Sequence, residues 1–194
     1  MLNMWALYIF GSVAEQLFGR LYYIGMYVLA GLMGSLLSSY LTIRDGYELL
    51  QHFDRLAGLQ SSLIPHISAG ASGAVMGLGA ALTVISLFPP LPQQRFWLDK
   101  KSLLMVMAIN LVFGFTVAGI NNAAHIGGML MGAVLAVIWY MGQRIHKPNL
   151  GIYVGLVVGA VTCYLFYDYC MQQVQILEPI WRQILIAMRA QLHF

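Results

Sequence analysis

Residues 21–43, 102–143 and 148–167 carry no Asp, Glu, Lys or Arg. A transmembrane helix needs roughly 20 consecutive apolar residues, so the first and third each fit one span and the second fits two. At such lengths only a helix satisfies its own backbone hydrogen bonds inside lipid. The whole chain is 60% hydrophobic and 9% charged, against about 25% charged in a soluble domain. The sequence therefore predicts an integral membrane protein, an all-α polytopic helical bundle. Six spans are expected, near residues 1–18, 21–42, 70–88, 103–119, 123–142 and 150–169.

The connections between spans orient the bundle. Arg20, Arg95, Lys100, Lys101, Arg144 and Lys147 gather in three short connections on one side. The other side holds Arg44 and Arg55, offset by Asp45, Glu48 and Asp54, together with a tail carrying Arg182 and Arg189. By the positive-inside rule the first side faces the cytoplasm. Spans one, three and five then run inward, and Met1 starts outside without a basic leader, which predicts a further span upstream. The long connection "TIRDGYELLQHFDRLAGLQSSLIPHIS" has room for an amphipathic interfacial helix. The tail after Cys170 alternates polar and apolar residues at helical spacing; it either lies on the membrane surface or packs on the bundle. Net charge is +3, set by these loops, and gives no support to nucleic-acid binding. Cys163 and Cys170 show no metal spacing and sit about two helical turns apart, which disfavours a disulfide.

Three polar residues open three inward-running spans at similar depth: Asn3, Ser72 and His125. Polar groups inside hydrocarbon are costly and tend to mark function. A serine and a histidine at equal depth meet the minimum requirement for an activated nucleophile. Gly73 and Gly77 form one seam of small residues; Ala124, Gly128, Gly132 and Ala136 form another, and such seams let helix backbones approach closely in lipid. Ser72 is next to the first seam and His125 next to the second. Gly70 and Ala71 leave the chain bare before Ser72, where the first helical N–H groups lack acceptors. Those donors, with the positive end of the helix dipole, suit an oxyanion formed at Ser72.

The same residues resemble the rhomboid intramembrane serine proteases. Gly70-Ala71-Ser72-Gly73 is similar to the family's G-x-S-G nucleophile motif. Ala124-His125-Ile126-Gly127-Gly128 with Gly132 resembles its A-H-x-G-G-x-x-x-G helix, whose histidine is the general base. "YVLAGLMGSLLS" resembles the third family helix. "NMWALYIFGSVAEQLFG" resembles the second, in which an Asn assists the oxyanion and a Glu is buried, here Asn3 and Glu15. The likeness covers about residues 1–142 and makes the six spans family helices 2–6 plus an additional C-terminal helix, with the amphipathic tail filling out 143–194. It implies an N-terminally truncated chain, because the family's first helix and the oxyanion His four residues before the Asn would precede Met1.

Carried over, the resemblance implies a serine endopeptidase with a Ser72–His125 dyad, oxyanion donors at Asn3 and the Ser72 backbone, and helix packing through Gly70, Gly73, Gly77, Gly128 and Gly132. It implies transmembrane protein substrates, cleaved through an acyl-enzyme near the outer face of a bacterial inner membrane, with no cofactor and no metal. A catalytically impaired relative that binds membrane clients is the alternative. At the level of single residues, Ser72 also fits a helix N-cap, His125 a structural histidine, and His66 a rival base. Met76, four residues after Ser72, takes a position where the family often packs an aromatic ring on the imidazole.

Overall fold

The computed structural model describes residues 2–51, 71–92, 94, 97–116 and 122–192. Six helices cover most of them: α1 Leu2–Phe18, α2 Arg20–Gln51, α3 Ser72–Leu87, α4 Lys100–Thr116, α5 Asn122–Arg144 and α6 Pro148–Leu192. Among the described residues there is no strand. The chain is thus an all-helical membrane bundle. Among the described residues, three parts are long and apolar enough to cross a bilayer: Arg20–Asp45, Asn122–Arg144 and Pro148–Ile176.

The helix of 16 residues, α3, is short because it sits at the centre. Every residue from Gly73 to Thr83 is buried, with α2, α5, α1 and α4 packed around it. Its polar residues close on its own backbone: Thr83 Oγ1 donates to Gly79 O at 2.7 Å and Ser86 Oγ to Thr83 O at 2.6 Å. Phe88 leaves the helix in extended conformation, as a residue before proline must, and Pro89 follows. There Tyr140 of α5 donates its hydroxyl to Pro89 O at 3.0 Å and stacks on Phe88 at 4.6 Å.

The turns are tight. Gly19 joins α1 to α2 alone, at φ 79°, a left-handed conformation that costs glycine little. Its N–H donates to Glu15 O, and Tyr23 N–H donates to Gly19 O, both at 3.0 Å. Glu15 differs from expectation: its side chain is exposed beside Arg20, 3.8 Å away. It lies in the last turn of α1, so it reaches past the core to the basic end of the bundle. The α5–α6 turn uses His146 at φ 61°.

Parallel helices α2 and α6 form the flank. Tyr22 on α2, fully buried, donates to Leu135 O of α5 at 2.7 Å, and its ring fills the space beside Gly155 of α6. Further along, the thiols of Cys163 and Cys170 face Leu29 O at 3.7 Å and Leu36 O at 4.0 Å. Both cysteines are free and buried. The spacing of seven on each helix keeps one face in contact over two turns.

Three helix bounds differ from the sequence reading. Helix α2 continues to Gln51 instead of stopping near residue 42. The tail neither leaves the last span to lie on a surface nor folds back: α6 is one helix of 45 residues through Pro179, about 67 Å at 1.5 Å per residue. Glu178 and Arg182 support the far part, with Nη2···Oε1 at 2.7 Å. Span four starts three residues early, at Lys100, because Asp99 caps it. One carboxylate oxygen accepts from Lys101 N–H at 3.1 Å, the other from Ser102 Oγ–H at 2.6 Å. The loop residues 52–70, with His66 and Gly70, lie outside the described residues, as does Arg95.

The Ser102 hydroxyl, then the Lys101 N–H, hold the Asp99 carboxyl below the ordinary carboxylate range. Its contribution to stability is therefore present above about pH 4 and lost as pH falls through the lower folded value. Thermal unfolding in detergent should show wild type more stable than Asp99→Ala at pH 7, with the gap closing toward pH 3.

Candidate active site

Helices α3 and α5 run parallel and touch backbone to backbone. A Cβ built on Gly73 would lie 2.8 Å from Ala124 O, and one on Gly77 would lie 2.8 Å from Gly128 O. In the opposite direction, a Cβ on Gly128 would collide with the Gly73 carbonyl, and one on Gly132 with the Gly77 carbonyl. Contacts advance by four residues on both helices, so the axes keep the same level over two turns. Ser72 immediately precedes Gly73, and His125 immediately follows Ala124. The two residues singled out by sequence thus flank the outermost contact of the crossing, one on each helix.

A third helix fixes the level. Gly34 of α2 approaches the Ala124 carbonyl so closely that a Cβ there would lie 2.5 Å away. Gly127, two residues past His125, faces Met33 O, where a Cβ would lie at 2.8 Å. The carbonyl next to His125 is therefore held between Gly34 and Gly73. Gly34 was not singled out by sequence; its signal was the Gly31-x-x-Gly34 spacing within the stretch resembling the third family helix.

His125 is buried, at 7% exposure, and its Nδ1 has no hydrogen-bond partner. Ser72 is half-buried as the first residue of α3. Among the described residues no hydrogen bond joins them. No side chain caps α3 at Ala71, and the Val75 N–H is the one that reaches Ala71 O, at 3.0 Å. The amides of Ser72, Gly73 and Ala74 precede it and have no acceptor within the helix. They present donors, and the positive end of the dipole, beside the serine hydroxyl.

One turn inward the surroundings become apolar. Met76, one turn below Ser72, clusters with Ala80, with Met107 of α4 and with half-buried Met129, one turn below His125. These thioethers close the floor under the polar pair; Met76 belongs to this layer. Asn3 stands exposed in the first turn of α1, and no hydrogen bond links it to Ser72. Asn122, one turn before His125, has both amide atoms buried without a partner. Asp168 is exposed and accepts from Gln172 at 2.9 Å, on the outside of α6. Among the described residues no three His, Cys, Asp or Glu side chains cluster to hold a metal.

A serine hydroxyl, an imidazole with a free nitrogen and amides without an acceptor inside their own helix, all at one helix crossing, are the elements of nucleophilic acyl transfer. The comparisons with known proteins point the same way. The family model of the Rhomboid domain matches residues 1–142. Rhomboid protease AarA of Providencia stuartii is 28% identical over 177 residues, 86% of this chain and 59% of its own length. Rhomboid protease GluP of Bacillus subtilis is 30% identical over 82% of this chain and 25% of its own length. RHOMBOID-like protein 6, mitochondrial, of Arabidopsis thaliana is 34% identical over 72% of this chain and 38% of its own length. The chain therefore spans between a quarter and three-fifths of these relatives. No solved structure matches it significantly.

The seam predicts a graded response to one added methyl. Gly34→Ala and Gly132→Ala drive a Cβ into backbone carbonyls that cannot turn aside, and each should cost about 1–3 kcal/mol. Gly31→Ala meets only the Ala74 Cβ, at 3.3 Å, and should cost clearly less. Equilibrium unfolding in mixed micelles ranks the three.

Proposed function

This chain belongs to the rhomboid family, and we propose that it is an intramembrane serine endopeptidase that cleaves transmembrane segments of membrane proteins. Ser72 is the nucleophile and His125 the general base. The observation that carries the assignment is the backbone contact of Gly73 with Ala124, which sets the serine and the imidazole beside one crossing. Residues 1–142 form the catalytic core, and 143–194 are an additional C-terminal element. The basic ends at Arg20 and Arg144 support a site toward the outer side of the membrane, a bacterial inner membrane on this reading.

The chemistry follows from the groups present. His125 takes the hydroxyl proton as Ser72 Oγ attacks the carbonyl carbon of the scissile peptide bond. The resulting oxyanion is met by the open amides at the start of α3 and by the Asn3 carboxamide once α1 brings it over the substrate. Collapse passes the proton from His125 to the leaving amine and leaves an acyl-serine. Water, deprotonated by the same imidazole, then releases the acid and frees the serine. The methionine layer below keeps the reacting groups next to a medium of low dielectric, where oriented amides act most strongly.

Cleavage of a single-span reporter in liposomes tests the dyad. Ser72→Ala and His125→Ala should each lower turnover by at least about 10³-fold while the variants unfold at the wild-type temperature. Wild-type cleavage by either variant would remove the proposal. A chain that folds, binds the reporter and never cleaves it would favour a client-binding relative instead. Asn3→Ala should lower kcat about 10²-fold at nearly constant KM, the loss typical of one oxyanion donor; an unchanged kcat removes Asn3 from the site.

A further inference from the structure

Among the described residues, the buried side-chain nitrogen and oxygen atoms without a hydrogen-bond partner are three: Nδ2 and Oδ1 of Asn122 and Nδ1 of His125. They belong to two residues three apart on α5, so both side chains leave the same face of one helix, with Cβ atoms about 5–6 Å apart. Leaving a buried donor or acceptor unpaired is costly, and two such residues one turn apart can satisfy each other. The Asn122 carboxamide is also not free to swing away. Its Oδ1 lies against the backbone of Gly114 on α4, so close that a Cβ at position 114 would overlap it.

Resting on the assignment of His125 as the base, we infer that Asn122 is the positioning residue for its imidazole. The carboxamide oxygen accepts the Nδ1 proton, directly or through one water, and thereby leaves Nε2 with the lone pair that removes the proton of Ser72. Gly114 supplies the space that lets α4 press the amide into this orientation. The dyad then has an orienting third group of neutral charge, provided by its own helix. A neutral acceptor fixes the tautomer without placing a second charge in the bilayer, where charge is expensive.

Among the described residues, other groups facing this end of α5 do not compete. Helix α3 carries no titratable residue, and the lysines of α4, Lys100 and Lys101, sit at its opposite end. On α5 itself Tyr140 and Arg144 lie at the far end, about four turns or more from His125. On α2 the described side chains at the outer end are Tyr40, half-buried, and Arg44 and Asp45, exposed. On α6 they are Tyr164, Tyr167, Asp168 and Tyr169, all exposed, and Cys170, whose thiol faces Leu36 O.

Nitrogen NMR of the full chain, labelled in histidine and held in micelles at pH 8, reads the tautomer directly. The His125 signal is assigned by its loss in His125→Gln. Wild type and Ser72→Ala should show the Nδ1–H form. Asn122→Leu, of similar volume, should shift His125 toward the Nε2–H form usual in water, and should lower kcat roughly tenfold or more with KM held. Asn122→Asp keeps the acceptor; it should retain the Nδ1–H form and raise the pH at which His125 titrates. The same tautomer in wild type and Asn122→Leu overturns the inference. Should the leucine variant not fold, a His125 titration unmoved by Asn122→Asp overturns it equally. The NMR result stands whether or not the protein cleaves, while cleavage by Ser72→Ala would strike only the dyad.

Discussion

Close approach of two glycine-lined helices is the condition on which the rest of this structure depends. Gly73 and Gly77 of α3 meet Gly128 and Gly132 of α5 through carbonyl oxygens, with no room for even a methyl group. In lipid there is little hydrophobic gain from joining helices, so contact area and backbone proximity must supply the attraction. The same closeness does the positioning. A separation set by side chains would leave Ser72 and His125 further apart and free to slide. A separation set by backbone fixes both, at a level shared to within one residue.

The remaining helices serve that crossing. Helix α2 adds Gly34 against the Ala124 carbonyl and ties α5 through the Tyr22 hydroxyl at its other end. Helix α6 backs α2 with Gly155, Gly159 and the two cysteine thiols. Burial of α3 on all sides explains how 16 residues can hold a polar helix start within the bundle. One turn further along, Met76, Met107 and Met129 pack into an apolar layer beneath that start.

Much of this was legible in the chain because membranes allow few solutions. Apolar runs predicted six helices and their alternation, and basic connections marked the end that Pro89, Tyr140 and Arg144 share. The glycine seams were visible as four-residue spacings, and their partnering follows from parallel direction. Other features depended on single contacts that spacing does not encode. The resemblance implied a buried Glu15, but its place in the last turn of α1 puts it beside Arg20. Asp99 was hidden among the prolines and lysines of a loop, although an acid before Lys-Lys-Ser is a capping signal. The continuity of α6 was missed because Pro179 and a change to mixed polarity look like a helix end. Nothing in the sequence marks Asn122; only the burial of its amide beside Gly114 sets it apart. Gly70 and His66 fall outside the described residues, and Asn3 has not been brought to the serine by any contact seen here.

One measurement bears most directly on whether Ser72 is activated by His125 across the seam. The full chain in liposomes is treated with a fluorophosphonate, and the adduct is located by peptide mass spectrometry. Modification confined to Ser72, and lost in His125→Ala, is the expected result. An adduct on another residue, or undiminished labelling of Ser72 without the imidazole, contradicts it.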